Sequence, residues 1–248
     1  MTSTLAWDML LQGFCSLLAP ERCLACGAPH EAEGAFPSEL CGGCRERLGW
    51  IEAACLGCGR PRGPGLPDSR RCGACVRRAL GGVRSTTALL RYRGPGRQLL
   101  RRLKYDGLDG LGLALGRALG ERLLAARPGL LEQPGLCVVP VPLHPWRRLR
   151  RGFNQAEVIA RGVAEVTGRP LRALLRRRRA TRALYGVRRG EREAVVAEAF
   201  ALARGAEVRG ARVLLVDDIV TSGATLRAAA RALRRGGVAR LDAAVVAR

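Results

Sequence analysis

The sequence predicts a parallel α/β domain carrying a small metal-stapled module at its front. Two observations predict it. From about residue 83, short apolar runs alternate with helically spaced apolar residues, the order expected when helices cross over between parallel strands. Before that point, residues 20–82 hold eight of the ten Cys, many Gly and Pro, and little periodic apolar pattern. A hydrophobic fraction of 48% over 248 residues supports a real core. Composition therefore divides the chain into residues 1–19, 20–82 and 83–248.

Residues 5–18 are apolar but carry Asp8, Gln12 and Gly13, and lack a basic n-region and a small-residue cleavage site. They read as an amphipathic helix packed on its own protein. No run approaches the roughly 18 apolar residues that cross a bilayer, so a cytoplasmic chain with no transmembrane segment is expected. Residues 83–92 read as a strand closed by Gly94-Pro95-Gly96. Leu108, Leu111, Leu115, Leu119 and Leu123 share one helical face, ended by Pro128-Gly129. Residues 137–141 have the continuous apolar character of a buried parallel strand. Asn154 is placed to cap a helix bearing Ile159, Val163 and Val166, with Gly168-Arg169-Pro170 as its stop. The basic residues 172–192 show little apolar periodicity. Residues 212–216 form another buried strand, followed by a loop, a helix with Leu226, Ala230 and Leu233, the break Gly236-Gly237, and a last strand over residues 241–246.

The four C-x2-C pairs are Cys23/Cys26, Cys41/Cys44, Cys55/Cys58 and Cys72/Cys75. Each such turn points two thiolates at one place, so two turns complete a tetrahedral zinc shell. Gly27, Gly42, Gly43, Gly57, Gly59 and Gly73 suit the tight backbone of these knuckles. Two structural zinc sites are expected, paired first with second and third with fourth, or interleaved as a cross-brace. A disulfide framework needs an oxidising compartment that nothing else in the sequence supports. His30 reads as a loop residue, and Cys15 and Cys137 as buried apolar residues.

An apolar run at residues 213–216 leads into Asp217 and Asp218, then Thr221-Ser222-Gly223-Ala224-Thr225, then a helix. Gly223 lets the chain turn so that successive amides and the helix N-terminus face one anion. Thr221, Ser222 and Thr225 add hydroxyl donors. Asp217 and Asp218, at the carboxyl end of a strand, are acceptors placed for two neighbouring ribose hydroxyls and are the catalytic candidates. No Walker loop or G-x-G-x-x-G fingerprint precedes a helix.

This loop resembles the signature of the type I phosphoribosyltransferase family. The resemblance implies a type I phosphoribosyltransferase-like parallel sheet that binds phosphoribosyl pyrophosphate with magnesium, residues 217–225 holding the ribose 5-phosphate. Residues 139–144 through Arg151-Gly152-Phe153-Asn154-Gln155 resemble the pyrophosphate-side loop of ComF-type competence proteins, also called the GntX type. Leu103-Lys104-Tyr105-Asp106-Gly107 and the double zinc ribbon are similar to the same family. On that resemblance Arg147, Arg148, Arg150 and Arg151 lie near the pyrophosphate, Arg151 foremost, with Lys104 as a further cation and His144 as a candidate acid or base. It also implies DNA uptake in natural transformation, with a competence helicase or other DNA-processing proteins as partners. An active pentosyltransferase on an unnamed acceptor, and a sensor of phosphoribosyl pyrophosphate, are the alternatives. The chain departs from the family pattern T-x-x-Q, E-R, N-V-x-x-A-F. Thr181, Glu191-Arg192 and Ala199-Phe200 match it, but Leu184 and Val195 replace the expected Gln and Asn.

Net charge is +22, and all but one of the 43 basic residues are Arg, the exception being Lys104. Such an excess favours polyanionic partners, single-stranded DNA among them. Arg45, Arg47, Arg60, Arg62, Arg70, Arg71, Arg77 and Arg78 around the knuckles are the ribbon's candidate contacts. With 4% aromatic residues, salt-dependent backbone contact is expected to dominate over base stacking.

Overall fold

A computed structural model describes residues 22–30, 36–63, 71–77, 80–178 and 199–248. The expected N-terminal amphipathic helix, Cys15, Arg70, Arg78, Thr181, Leu184, Glu191, Arg192 and Val195 lie outside the described residues.

Two short helices, α1 (Gly42–Glu46) and α2 (Gly73–Arg77), belong to the cysteine knuckles. The sheet that follows is built from β1 (Thr86–Leu90), β2 (Leu136–Pro140), β5 (Arg212–Ile219) and β6 (Arg240–Ala247). Its order is β1-β6-β5-β2 and all three pairings are parallel. Every residue of β1 and β2 is buried, as continuous apolar runs require when both faces are covered. Along β5, Val213 and Leu215 enter one hydrophobic layer while Leu214 and Val216 enter the other.

One layer packs against α8 (Ala224–Arg235). The opposite layer packs against α3 (Gly94–Tyr105), α4 (Asp109–Ala126) and α7 (Gln155–Thr167). The minor helices α5 (Pro128–Leu131) and α6 (Pro145–Arg151) lead into β2 and away from it. A two-stranded antiparallel ribbon pairs β3 (Leu175–Arg177) with β4 (Phe200–Leu202) beside α8.

Three elements differ from the sequence expectation. Gly94-Pro95-Gly96 does not merely close β1; it opens α3, because Pro in a first helical turn lacks only an N–H that has no partner there. Leu99, Leu100 and Leu103 of α3 are then fully buried. Pro145 opens α6 in the same way, with the His144 side chain accepting from the Trp146 amide at 3.2 Å. The β3–β4 ribbon joins the basic stretch to residues beyond it, and its three-residue strands are too short to show a period. Asn154 does occupy the cap of α7, but its side-chain amide donates to the Val141 carbonyl at 3.2 Å instead of accepting from the helix.

The α4–α7 contact is a glycine seam. A Cβ at Gly116 would lie 2.2 Å from the Ile159 carbonyl oxygen, and one at Gly162 2.4 Å from that of Leu113. This close approach carries the N-terminus of α7, with Asn154 and Gln155, to the end of the sheet.

Gly116→Ala sets a gain in helix propensity of about 1 kcal/mol against a backbone clash. The clash wins, with an expected loss of about 2 kcal/mol in chemical denaturation. Gly110→Ala, in the same helix but facing open space, is expected to stabilise by up to about 1 kcal/mol.

Candidate functional site

The knuckles bring their sulfurs together. Cys23, Cys26, Cys41 and Cys44 form one cluster and Cys55, Cys58, Cys72 and Cys75 another, all ligand atoms within 4.8 Å of one another. First thus meets second and third meets fourth. Cys26 and Cys41, and likewise Cys58 and Cys72, hold their sulfurs 3.8 Å apart. A tetrahedral zinc with bonds of about 2.3 Å spaces its sulfurs by about 3.8 Å, whereas a disulfide needs about 2.05 Å. Burial works to raise the Cys23 and Cys55 thiols, yet backbone N–H groups bring both down to about 6. Burial and neighbouring sulfurs push Cys44 up to about 12 and Cys75 upward as well. These donor sets fit zinc ribbons. His30 is in neither cluster, and Cys137 is buried among apolar residues, its thiol raised by that burial.

The clusters are joined to the sheet. Cys23 and Cys44 pack into the layer holding α3 and α4, while Cys55, Cys58 and Cys75 pack into the α8 layer. Between them the chain lies along the open edge of β1. Ile51 donates to Leu89 O at 2.9 Å, Arg91 to Gly49 O at 2.7 Å, and Thr86 to Leu56 O at 2.8 Å.

At the carboxyl ends of β2 and β5 is a cavity of about 240 Å³, whose lining includes Lys104, Arg147, Arg151, Asn154, Gln155, Arg177, Asp217, Asp218, Thr221 and Thr225. Asp217 and Asp218 are the last buried polar positions of β5, at 8% and 9% exposure. Burial first, and the Asp218 charge second, raise the Asp217 carboxyl well above the ordinary carboxylate range. Lys104 forms an ion pair with Asp218. The Asp217 carboxylate accepts from the Asp218 amide at 2.9 Å.

Beyond them Gly223 takes φ 76° and caps α8, a left-handed conformation that glycine adopts without strain. The amides of Thr221, Ser222 and Gly223 have no protein acceptor among the described residues. They stand at the positive end of a 12-residue helix, an arrangement that suits an anion. Ala224 donates to Ser222 Oγ at 3.4 Å. Arg248, which the sequence did not mark out, holds this loop from behind. Its guanidinium donates to Val220 O at 2.9 Å, Thr221 O at 2.5 Å and Cys58 O at 2.9 Å, joining loop and second knuckle.

Cations line the same cavity. Burial, then the nearby Arg147 charge, push the Arg177 guanidinium down, with Asp217 opposing. Arg177 stacks on Phe200 at 5.2 Å, and Arg151 donates to Gln155 Oε1 at 3.2 Å. The Gln155 side-chain nitrogen is buried with no acceptor among the described residues. Arg177 was hidden in the aperiodic basic stretch, and only its pairing with β4 brings it here. Arg148 and Arg150 are exposed and outside the cavity lining, and His144 serves as a helix cap.

A phosphoribosyl transferase domain model matches residues 149–248 and a double zinc ribbon domain model matches residues 14–76. The fold and site thus define a phosphoribosyltransferase-type domain behind a double zinc ribbon. The DNA utilization protein YhgH of Salmonella typhi is 31% identical over 203 residues, covering 81% of this chain and 86% of that protein. Competence protein F of Haemophilus influenzae is 28% identical, with coverage of 88% and 92%. Competence protein ComFC of Bacillus subtilis is 31% identical over 41% of this chain and 40% of its own. The chain belongs to the ComF-type competence family.

Elemental analysis is expected to find two zinc ions per chain; a metal-free product with disulfide-bonded cysteines would overturn the zinc assignment. For Asp217 the sign is set by a folded-state value raised above the unfolded one. Between the two the native state keeps a proton that the unfolded chain has lost, so stability falls as pH rises through that window. Asp217→Asn is therefore expected to raise the melting temperature at neutral pH by a few degrees, on the order of 1 kcal/mol. That advantage should vanish as pH drops below 3.8.

Proposed function

We propose that this protein binds phosphoribosyl pyrophosphate with magnesium at the end of β5 and handles single-stranded DNA in the cytoplasm during DNA uptake. One observation carries the ligand reading: three unpartnered loop amides at the start of α8 adjoin two buried carboxylates, in a cavity also lined by Arg147, Arg151 and Arg177. A molecule that fits must present a phosphate, vicinal hydroxyls and a second polyanion. Phosphoribosyl pyrophosphate presents all three.

In this reading Thr221 to Thr225 hold the 5-phosphate through amides and hydroxyls. Asp217 and Asp218 accept from the ribose hydroxyls. Arg147, Arg151 and Arg177, which line one cavity, share the pyrophosphate as a counter-charge. The Gln155 amide gains the acceptor it lacks. Magnesium, an oxygen-seeking cation, suits carboxylates beside a pyrophosphate and supplies charge neutralisation when bound. The DNA arm of the proposal is supported by the names of the relatives and by the charge of +22.

Turnover is a separate matter. In an active transferase, the arginines stabilise the departing pyrophosphate while Asp217 faces the positive charge that develops on the ribose.

Calorimetric titration with magnesium and phosphoribosyl pyrophosphate is expected to show one site per chain. Asp217→Asn should weaken it at least roughly ten-fold, because the charge and one of the two acceptor oxygens facing the ribose hydroxyls are lost. Saturation unchanged by that substitution would reject the site. Release of pyrophosphate in the same mixture separates the transferase from the binding protein. Affinity for single-stranded DNA should fall steeply with salt; no binding at low salt would remove the DNA arm.

A further inference from the structure

The helix α6 contributes nothing to the core. None of its seven residues, Pro145–Arg151, is buried. It is held by its ends instead: the His144 cap, the Arg148 amide donating to His144 O at 2.9 Å, and Gly152 at φ 79°. Yet it carries two of the largest exposed apolar side chains in the molecule, Trp146 at 62% and Leu149 at 85% exposure. One helical step of three residues puts these two on the same side. Beside the helix, the Arg151 guanidinium lies 5.5 Å over the ring of Tyr105, which is itself 70% exposed. The helix has four arginines and no acid, and the ion pair of Arg148 with Glu157 at 3.6 Å lies at the surface.

An exposed Trp that fills no core position stabilises the fold little, and four arginines in seven residues repel one another. Both features become favourable against a partner that is at once flat, apolar-faced and negatively charged. We infer that α6 and Tyr105 form a docking strip for single-stranded nucleic acid, in which an unpaired base stacks on Trp146 and the flanking phosphates meet Arg148 and Arg150. Base stacking on an aromatic ring needs an open face, which a duplex does not offer, so the strip favours single strands over double. Because Arg147 and Arg151 of the same helix line the ligand cavity, the bound strand passes at the mouth of that cavity. This places the DNA contact on the phosphoribosyltransferase-type domain and not on the ribbon arginines. It rests on the DNA partner proposed above.

The test is fluorescence anisotropy with a labelled oligothymidylate of about 20 nucleotides on the zinc-loaded full chain, with titration of phosphoribosyl pyrophosphate as a parallel readout. Trp146→Ala is expected to weaken single-strand binding roughly ten-fold, and Trp146→Phe by much less, since the ring face is kept. The pair Arg148→Gln and Arg150→Gln should lower the salt slope by roughly 1 to 1.5, the share of two phosphate contacts. All three variants should keep the affinity of the small ligand. If the native chain binds DNA and Trp146→Ala binds it equally well, the strip is refuted while the DNA reading stands. If the native chain binds no DNA, both fall. Trp146-dependent capture by phosphatidylglycerol vesicles, without DNA binding, would assign the strip to a membrane surface and overturn the proposal.

Discussion

Two carboxylates buried side by side are unfavourable unless something answers their charge, and at the end of β5 Lys104 pairs with Asp218 while the Arg177 guanidinium answers Asp217. Asp217 responds by holding its proton to higher pH than a free carboxyl. The cost is tolerated because the strand, the helix behind it and the loop between them leave these residues no other place. In the proposed reading, a ligand with hydroxyl donors and an attached cation would relieve that penalty, so affinity would be gained by removing a cost already present in the fold.

The ribbons have a structural role that their metal chemistry alone does not disclose. A parallel sheet that ends on β1 presents a row of unpaired backbone groups, which natural proteins cover. Here the chain from Gly49 to Leu56, which runs into the second cysteine cluster, supplies the cover, with three backbone hydrogen bonds to β1 and its flank. The clusters themselves enter opposite hydrophobic layers. Through Arg248, the second knuckle also reaches the backbone of the phosphate loop. Ribbon, edge strand and the loop before α8 are thus parts of one hydrogen-bonded unit.

Several elements were legible because their signal is local. C-x2-C turns, the continuous apolar run of β5, and the leucine spacing of α4 each follow from a short-range rule. The first turn of α3 reads as a break because Gly-Pro-Gly is a turn signal, while Pro at a first helical position is an opening. The glycine seam of α4 and α7 was unseen because its meaning is a distance between two helices, which no single helix states.

The candidate site divides along the same line. A residue whose role depends on its chain neighbours can be read from the chain. Asp217, Asp218 and Gly223 work through the strand, turn and helix they lie in, and the cysteines through their spacing, so covalent proximity alone determined them. Arg177, Arg248 and Gln155 are brought to the cavity or its loop from β3, the end of β6 and the start of α7. Only tertiary packing decided them, since guanidinium and amide groups in a basic chain carry no mark of the partner they will meet across the fold.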